Sequence, residues 1–261
     1  SSNIFSLEKM LLLKKIWKKL QNSLKKNFVT FSKKSLQMSA DCAILNSREK
    51  IMLFEIKGGN MAIKYIFFII GSYLLGSANT SCILGSAHGH DPRQYGTYNA
   101  GATNMGYIFG AKTGVIVALI DIFKGFAVVC LAKFFAENAP YLDLLSGLSC
   151  VLGHMFPIFY DFHGGKGLAA LGGTILAIDP HLAIFLGIIA ATLIVVTHYG
   201  IAAAVSVSIL FPVFLQLRTG DWFAFLLTMS VSLIMLYKHM PNFKRIAEGT
   251  EVRFFVKDKA E

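Results

Sequence analysis

The sequence is poor in cysteine, proline and charge. Its four cysteines include no CxxC pair, which excludes a disulfide-stapled scaffold and a zinc site of the usual spacing. Cys82, Cys130 and Cys150 lie inside apolar runs and read as small core residues. Charged side chains make up 15% of the 261 residues, against 54% hydrophobic ones. An average soluble domain carries about 25% charged residues, and here the mean hydropathy is +0.57. A water-soluble globular chain is thereby excluded, and an all-α polytopic membrane protein is expected. No internal repeat is visible. A Walker phosphate loop is also missing, because Tyr160 and Gly167 stand where that motif needs Gly and Ser or Thr around Gly165-Lys166.

The formal charge is +10, but it is unevenly placed. Residues 1–60 hold 12 Lys+Arg against 4 Asp+Glu, a net of +8, which leaves +2 for the rest. No nucleic-acid partner is expected of so nearly neutral a membrane part. Apolar runs occupy 62–85, 113–136, 141–160, 167–178, 182–198, 200–217 and 222–238, with turn-forming residues between them. About 20 mostly apolar residues cross a bilayer, so seven transmembrane helices are expected, the fourth being short and rich in glycine.

With strict alternation, the loops at 86–112, 160–166 and 198–200 share one face with the chain after 238. That face holds Arg93, Lys112, Lys166, Lys238, Lys244 and Arg245, among other bases, whereas the opposite one holds Arg218 with Lys133 at its edge. The positive-inside tendency makes the first face cytoplasmic. Three polar clusters fall on it: "DPRQYGTYNAGATN" at 91–104, "HGGKG" at 163–167 and "KHMPNFKRIAEGTEVRF" at 238–254. Glycines admit a ligand close to backbone N–H groups, and a lysine among them adds a mobile charge, so the second cluster suits an anion. A tight turn whose lysine snorkels to water is the alternative for that stretch alone. In the third cluster His239, Asn242 and Arg245 recur every three residues and can share one side of a helical turn.

"GTYNAGATN", "DIFKG", "GHMFPIFYDFHGGKG" and "KHMPNFKRIAEGTE" resemble, in order and spacing, the signatures of bacterial integral-membrane glycerol-3-phosphate acyltransferases that use acyl phosphate as donor. The resemblance runs from about residue 61 to about 255. It implies a seven-helix membrane domain with active-site loops on the cytoplasmic face of the bacterial inner membrane. It also implies acyl transfer from acyl phosphate to the 1-hydroxyl of glycerol-3-phosphate, and a functional link to the enzyme that forms acyl phosphate. Such a mixed anhydride needs no cofactor, metal or covalent nucleophile; the protein must hold two phosphates close together and stabilise an oxyanion. Carried over by position, the resemblance implies catalytic roles for Thr97, His239, Asn242 and Glu251. It implies phosphate binding by Asn99, Thr103, Asn104, Gly164, Gly165, Lys166 and Gly167, with Arg93 and Lys112 as added cations. His239 would orient or deprotonate the attacking hydroxyl, since only an imidazole has an unperturbed pKa near working pH. The apolar bundle would hold the fatty chain beside membrane lipid.

Three positions depart from the family pattern. Tyr107 replaces an arginine, Ala170 a threonine and Ile201 a serine. A divergent paralogue with altered substrate is therefore one alternative, and a membrane transporter another; the gathering of polar clusters on one face argues against a midplane transport site. None of the seven histidines is followed by Asp five positions on, which excludes the HxxxxD acyltransferase pattern. Asp121 and Lys124, three residues apart within an apolar run, are expected to pair.

Residues 1–60 are expected to be translated upstream sequence rather than part of the working protein. Lys57-Gly58-Gly59 can be encoded as a purine-rich ribosome-binding sequence just ahead of Met61, where the family resemblance begins. The alternative is a basic amphipathic helix on anionic lipid. The membrane domain is assigned to 61–255 and a short charged tail to 256–261.

Overall fold

The computed structural model describes residues 61–135 and 139–254. The expectations for residues 1–60 and 256–261 lie outside them. The described residues form ten α-helices: α1 (Met61–Ser77), α2 (Thr80–Ala87), α3 (Ala102–Phe109), α4 (Ala111–Phe135), α5 (Leu142–Met155), α6 (Leu168–Ile178), α7 (Pro180–Thr197), α8 (Gly200–Thr219), α9 (Trp222–Lys238) and α10 (Met240–Ala247). The breaks follow local chemistry. Asp179 precedes Pro180 and caps α7 by accepting from the Leu182 N–H at 3.0 Å, because the first turn of a helix leaves its N–H groups without intrahelical partners. Asp221 caps α9 in the same way, and Gly220, at φ +69°, ends α8 in the left-handed region.

Among the described residues, six segments are long and apolar enough to cross a membrane: Met61–Ala87, Ala111–Phe135, Leu142–Tyr160, Pro180–Thr197, Gly200–Thr219 and Trp222–Ala247. The all-α, multi-pass expectation holds, but the count of seven needs correcting. α6 has 11 residues, about 16 Å of helix, well short of a hydrocarbon core of about 30 Å. The short helix is inserted between α4 and α5 and packs most extensively on α4. Its seat depends on glycine: a Cβ at Gly173 would fall on the carbonyl oxygen of Ile122, and one at Gly125 on that of Ala170. Close backbone approach of this kind is how membrane helices gain packing where lipid is as apolar as they are.

The main cluster of buried apolar residues joins α5, α6, α7, α8 and α9 through Leu148, Leu171, Leu186, Phe211 and Met235. The predicted ion pair is present. Lys124 Nζ lies 2.9 Å from Asp121 Oδ1 and also donates to the Gly76 carbonyl at 3.2 Å, while Thr80 Oγ1 donates to the same carboxylate at 2.8 Å. These bonds tie α4 to α1 and α2. At one end of the bundle, Lys133 Nζ donates to Ala177 O at 2.7 Å and Arg218 pairs with Asp179. At the other end, the connections at 88–101, 161–167, 198–199 and 248–254 come together, because α6, though too short to cross the core, still reverses the chain as a seventh segment would.

Candidate active site

Where these connections meet, a cavity of about 490 Å³ opens, with a polar mouth and an apolar interior. Eight of the sequence-predicted residues line it: Thr97, Asn99 and Thr103 from the α2–α3 region, Lys166 and Gly167 before α6, and His239, Asn242 and Glu251 from the C-terminal segment. Backbone geometry places them. Gly101 begins α3 with extended backbone, so the first turn, Ala102 and Thr103, faces the cavity with its unpaired N–H groups. Gly167, at φ +90°, turns the chain into α6, whose first residues line the same space. Two helix N-termini thus converge on one cavity beside a lysine, which is the arrangement that suits an anion.

Lys166 Nζ donates to Asn242 Oδ1. Asn242 Nδ2 in turn donates to Glu251 Oε1 at 2.6 Å, and Arg245 Nε donates to Glu251 Oε2 at 2.7 Å. This chain of bonds fixes the amide of Asn242 by its partners. Burial pushes Lys166 down to about 8, and the cations of Arg245 and Lys238 push the same way against the opposing pull of Glu251. Arg245 keeps its Nη2 buried without a hydrogen-bond partner. His239 sits 4% exposed at the junction of α9 and α10. Its Nδ1 is 2.7 Å from the Met235 carbonyl oxygen. A carbonyl only accepts, so Nδ1 carries the proton and the neutral ring keeps its lone pair on Nε2.

Five predicted residues stand apart from the cavity wall. Asn104 is buried, but its amide accepts from the Thr97 N–H at 2.6 Å and donates to the carbonyls of Pro92 and Tyr95 at 2.6 and 3.1 Å. Its hydrogen-bonding capacity goes into shaping the loop that presents Thr97 and Asn99. Arg93 grips Asp91, with Nη2–Oδ2 at 2.8 Å, and donates to Tyr160 O at 2.9 Å. That guanidinium holds the Asp91 carboxyl below its ordinary value and joins the α2–α3 and α5–α6 connections. Gly164 and Gly165 let the chain pass over His154, where a Cβ at either would strike its carbonyl oxygen or its ring. Lys112 is exposed at the start of α4. Among the family departures, Ile201 lines the cavity, whereas Tyr107 is exposed against Gly96 and Ala170 of α6 is buried against α4.

The sequence reading missed two wall residues, Asp121 and His154. In the sequence Asp121 points only to an ion pair with Lys124, and His154 in "GHMFP" carries no spacing signal of its own. Val252 and Phe254 also close the cavity, because the Phe254 N–H donates to His198 O at 2.8 Å and draws the C-terminal segment across it. Among the described residues, no cluster of His, Cys, Asp and Glu could hold a metal ion.

The fold and site define a polytopic helical membrane protein with an anion-suited cavity at one end of its bundle, continuous with apolar space between the helices. Residues 66–249 match the family model described as glycerol-3-phosphate acyltransferase. The chain is 34% identical over 192 residues to a glycerol-3-phosphate acyltransferase of Fusobacterium nucleatum, covering 73% of this chain and 98% of that one. It is 33% identical to the one of Aquifex aeolicus, covering 73% and 100%. Its fold is similar to the crystal structure of PlsY, an integral membrane glycerol 3-phosphate acyltransferase, in its glycerol 3-phosphate form. That match has a TM-score of 0.68 at 31% identity and covers 73% of this chain and 95% of that one. The lysophosphatidic acid form of PlsY matches with a TM-score of 0.65. The chain belongs to the glycerol-3-phosphate acyltransferase family.

Proposed function

We propose that the protein transfers an acyl group from acyl phosphate to the 1-hydroxyl of glycerol-3-phosphate, releasing phosphate and lysophosphatidic acid, at the cytoplasmic face of a bacterial inner membrane. The observation that carries this reading is the cavity itself: Lys166 and two helix N-termini lie at its mouth, His239 is on its wall, and an apolar interior follows. Relatives named for glycerol-3-phosphate acylation support the acceptor. The choice of acyl phosphate rests on the chemistry of the site and on the family signatures.

The hydroxyl oxygen of glycerol-3-phosphate attacks the carbonyl carbon of the acyl phosphate. As the new C–O bond forms, His239 Nε2 takes the hydroxyl proton, and the bond from the carbonyl carbon to the phosphate oxygen breaks. Phosphate is a good leaving group, so positioning and charge stabilisation suffice. Lys166 and the N–H groups of Ala102, Thr103 and Gly167–Ala169 are suited to the dianions, and Asn242 steers the ammonium. Burial works against the Lys166 charge, and a bound phosphate restores it, so anion binding and lysine protonation reinforce each other.

The test is to reconstitute the protein in lipid with labelled glycerol-3-phosphate and, separately, acyl phosphate or acyl-coenzyme A. Labelled lysophosphatidic acid is expected with acyl phosphate. Product from the thioester alone would reassign the donor, and product from neither would overturn the acyltransferase reading.

A further inference from the structure

The proposed reaction leaves open what decides how long a fatty chain the protein accepts. The apolar part of the cavity is walled largely by very small residues: Ala118 on α4, Gly172 on α6, and Ala183, Gly187, Ala190 and Ala191 on α7. On α7 the wall positions recur three and four residues apart, the spacing of a single helix face. The stripe runs from Ile194, near the polar mouth, to Ala183 near the far end of α7. Eleven residues of helix cover about 16 Å, so the open lane reaches about half-way across a hydrocarbon core of about 30 Å.

Two glycines in this lane differ from those at the helix contacts. Helix packing demands Gly173, Gly125, Gly147 and Gly153, where a Cβ would collide with a carbonyl oxygen or a side chain of the neighbouring helix. At Gly172 and Gly187 a Cβ would meet no atom within 4 Å. Neither has positive φ, so backbone conformation does not demand glycine either. Glycine inside a helix costs about 1 kcal/mol relative to alanine, and packing gives nothing back at these two positions. What the missing side chains leave is the width of the lane.

Building on the proposed function, we infer that Gly172 and Gly187 set the acyl-chain length the protein accepts, because each keeps the lane open at a different depth. Gly172 lies four residues into α6 from Leu168, about 6 Å from the polar end, and Gly187 lies seven residues from Ile194, about 10 Å in. Bulk at Gly187 shortens the lane, and bulk at Gly172 shortens it further. The ligand is the hydrocarbon tail of the acyl donor, whose head is the anion at Lys166.

The test compares kcat/KM for octanoyl, dodecanoyl and hexadecanoyl phosphate in Gly187→Ala, Gly187→Val and Gly187→Leu, the matching Gly172 series, and Gly71→Leu. Gly71 on α1 has equally open surroundings and does not line the cavity, so it serves as the control. Gly187→Leu is expected to lower kcat/KM for the hexadecanoyl donor by about tenfold or more, the scale on which pockets discriminate methylene groups, while the octanoyl value changes little. Gly172→Leu is expected to reject the dodecanoyl donor as well. Octanoyl turnover reports in the same assay that each variant is folded, and the Ala and Val variants supply a graded series where the Leu variant is inactive. Equal losses across the three donors in both series, or an unchanged profile, would overturn the inference. An inactive wild type would instead overturn the proposed function on which it rests.

Discussion

Lys166 donates from Nζ to Oδ1 of Asn242, a residue 76 positions further along the chain. This bond joins the glycine-rich connection before α6 to the first turn of α10, and it leaves an ammonium group on the cavity wall. Since Asn242 is held from its other side by Glu251, the lysine has one favoured position before any ligand arrives. Such prior ordering lowers the entropy cost of binding a phosphate.

Lys166→Ala is expected to abolish acyl transfer while leaving the protein folded, because the residue lies in a connection and its loss removes the cation at the mouth. Steady-state turnover read beside the thermal midpoint in detergent checks this. A folded variant with wild-type turnover would refute the phosphate role.

The same lysine predicts a pH dependence. Its pKa is lowered to about 8, so the ammonium is present below that value and is lost as pH rises through it. kcat/KM should therefore fall on the alkaline side near pH 8, while kcat, which reports the substrate complex, should fall at higher pH because bound phosphate favours the charged form. Lys166→Arg keeps its charge throughout and should move the alkaline limb of kcat/KM upward. A limb that stays in place in the arginine variant would assign it to another group.

His239→Ala is expected to lower kcat by about two to four orders of magnitude if Nε2 accepts the hydroxyl proton. A loss below about tenfold would leave the ring with only an orienting role. The comparison is made at saturating acceptor, so that binding defects do not enter.

Glu251→Ala should destabilise the protein as well as slow it. The side chain is the acceptor for both Asn242 Nδ2 and Arg245 Nε; stranding the buried Asn242 donor costs about 1–3 kcal/mol, and the half-buried Arg245 adds less. A lowered thermal midpoint and a raised KM for glycerol-3-phosphate are expected together. An unchanged midpoint would mean that the three-residue chain contributes nothing to the fold.

Removing Lys124 alone should be worse than removing both members of its pair. Asp121 and Lys124 are 1% and 5% exposed, and breaking a buried pair from one side costs about 3–5 kcal/mol because the remaining charge is uncompensated. Lys124→Met should lower the midpoint more than Lys124→Met combined with Asp121→Asn, in which Thr80 can still reach a neutral acceptor. Equal midpoints in the two variants would refute the cost assigned to the unpaired charge.

The sequence alone determined the membrane class, because composition and the length of apolar runs are additive properties that need no knowledge of neighbours. It also placed the polar clusters at one end, since alternation of seven apolar runs, the short α6 included, is a counting rule, and it named His239, Lys166, Asn242 and Glu251 through motifs. Tertiary structure decided what each polar side chain does with its hydrogen bonds. Thr97, Asn99 and Asn104 belong to one motif, yet Thr97 and Asn99 line the cavity while the Asn104 amide is consumed by its own loop. Asn104 is a loop pin because three backbone partners lie within its reach, and no spacing rule contains that information. Gly172 and Gly173 make the same point at closer range. Adjacent residues on a helix point about 100° apart, so one faces the backbone of α4 and the other faces open space, a difference set by where the neighbouring helices stand.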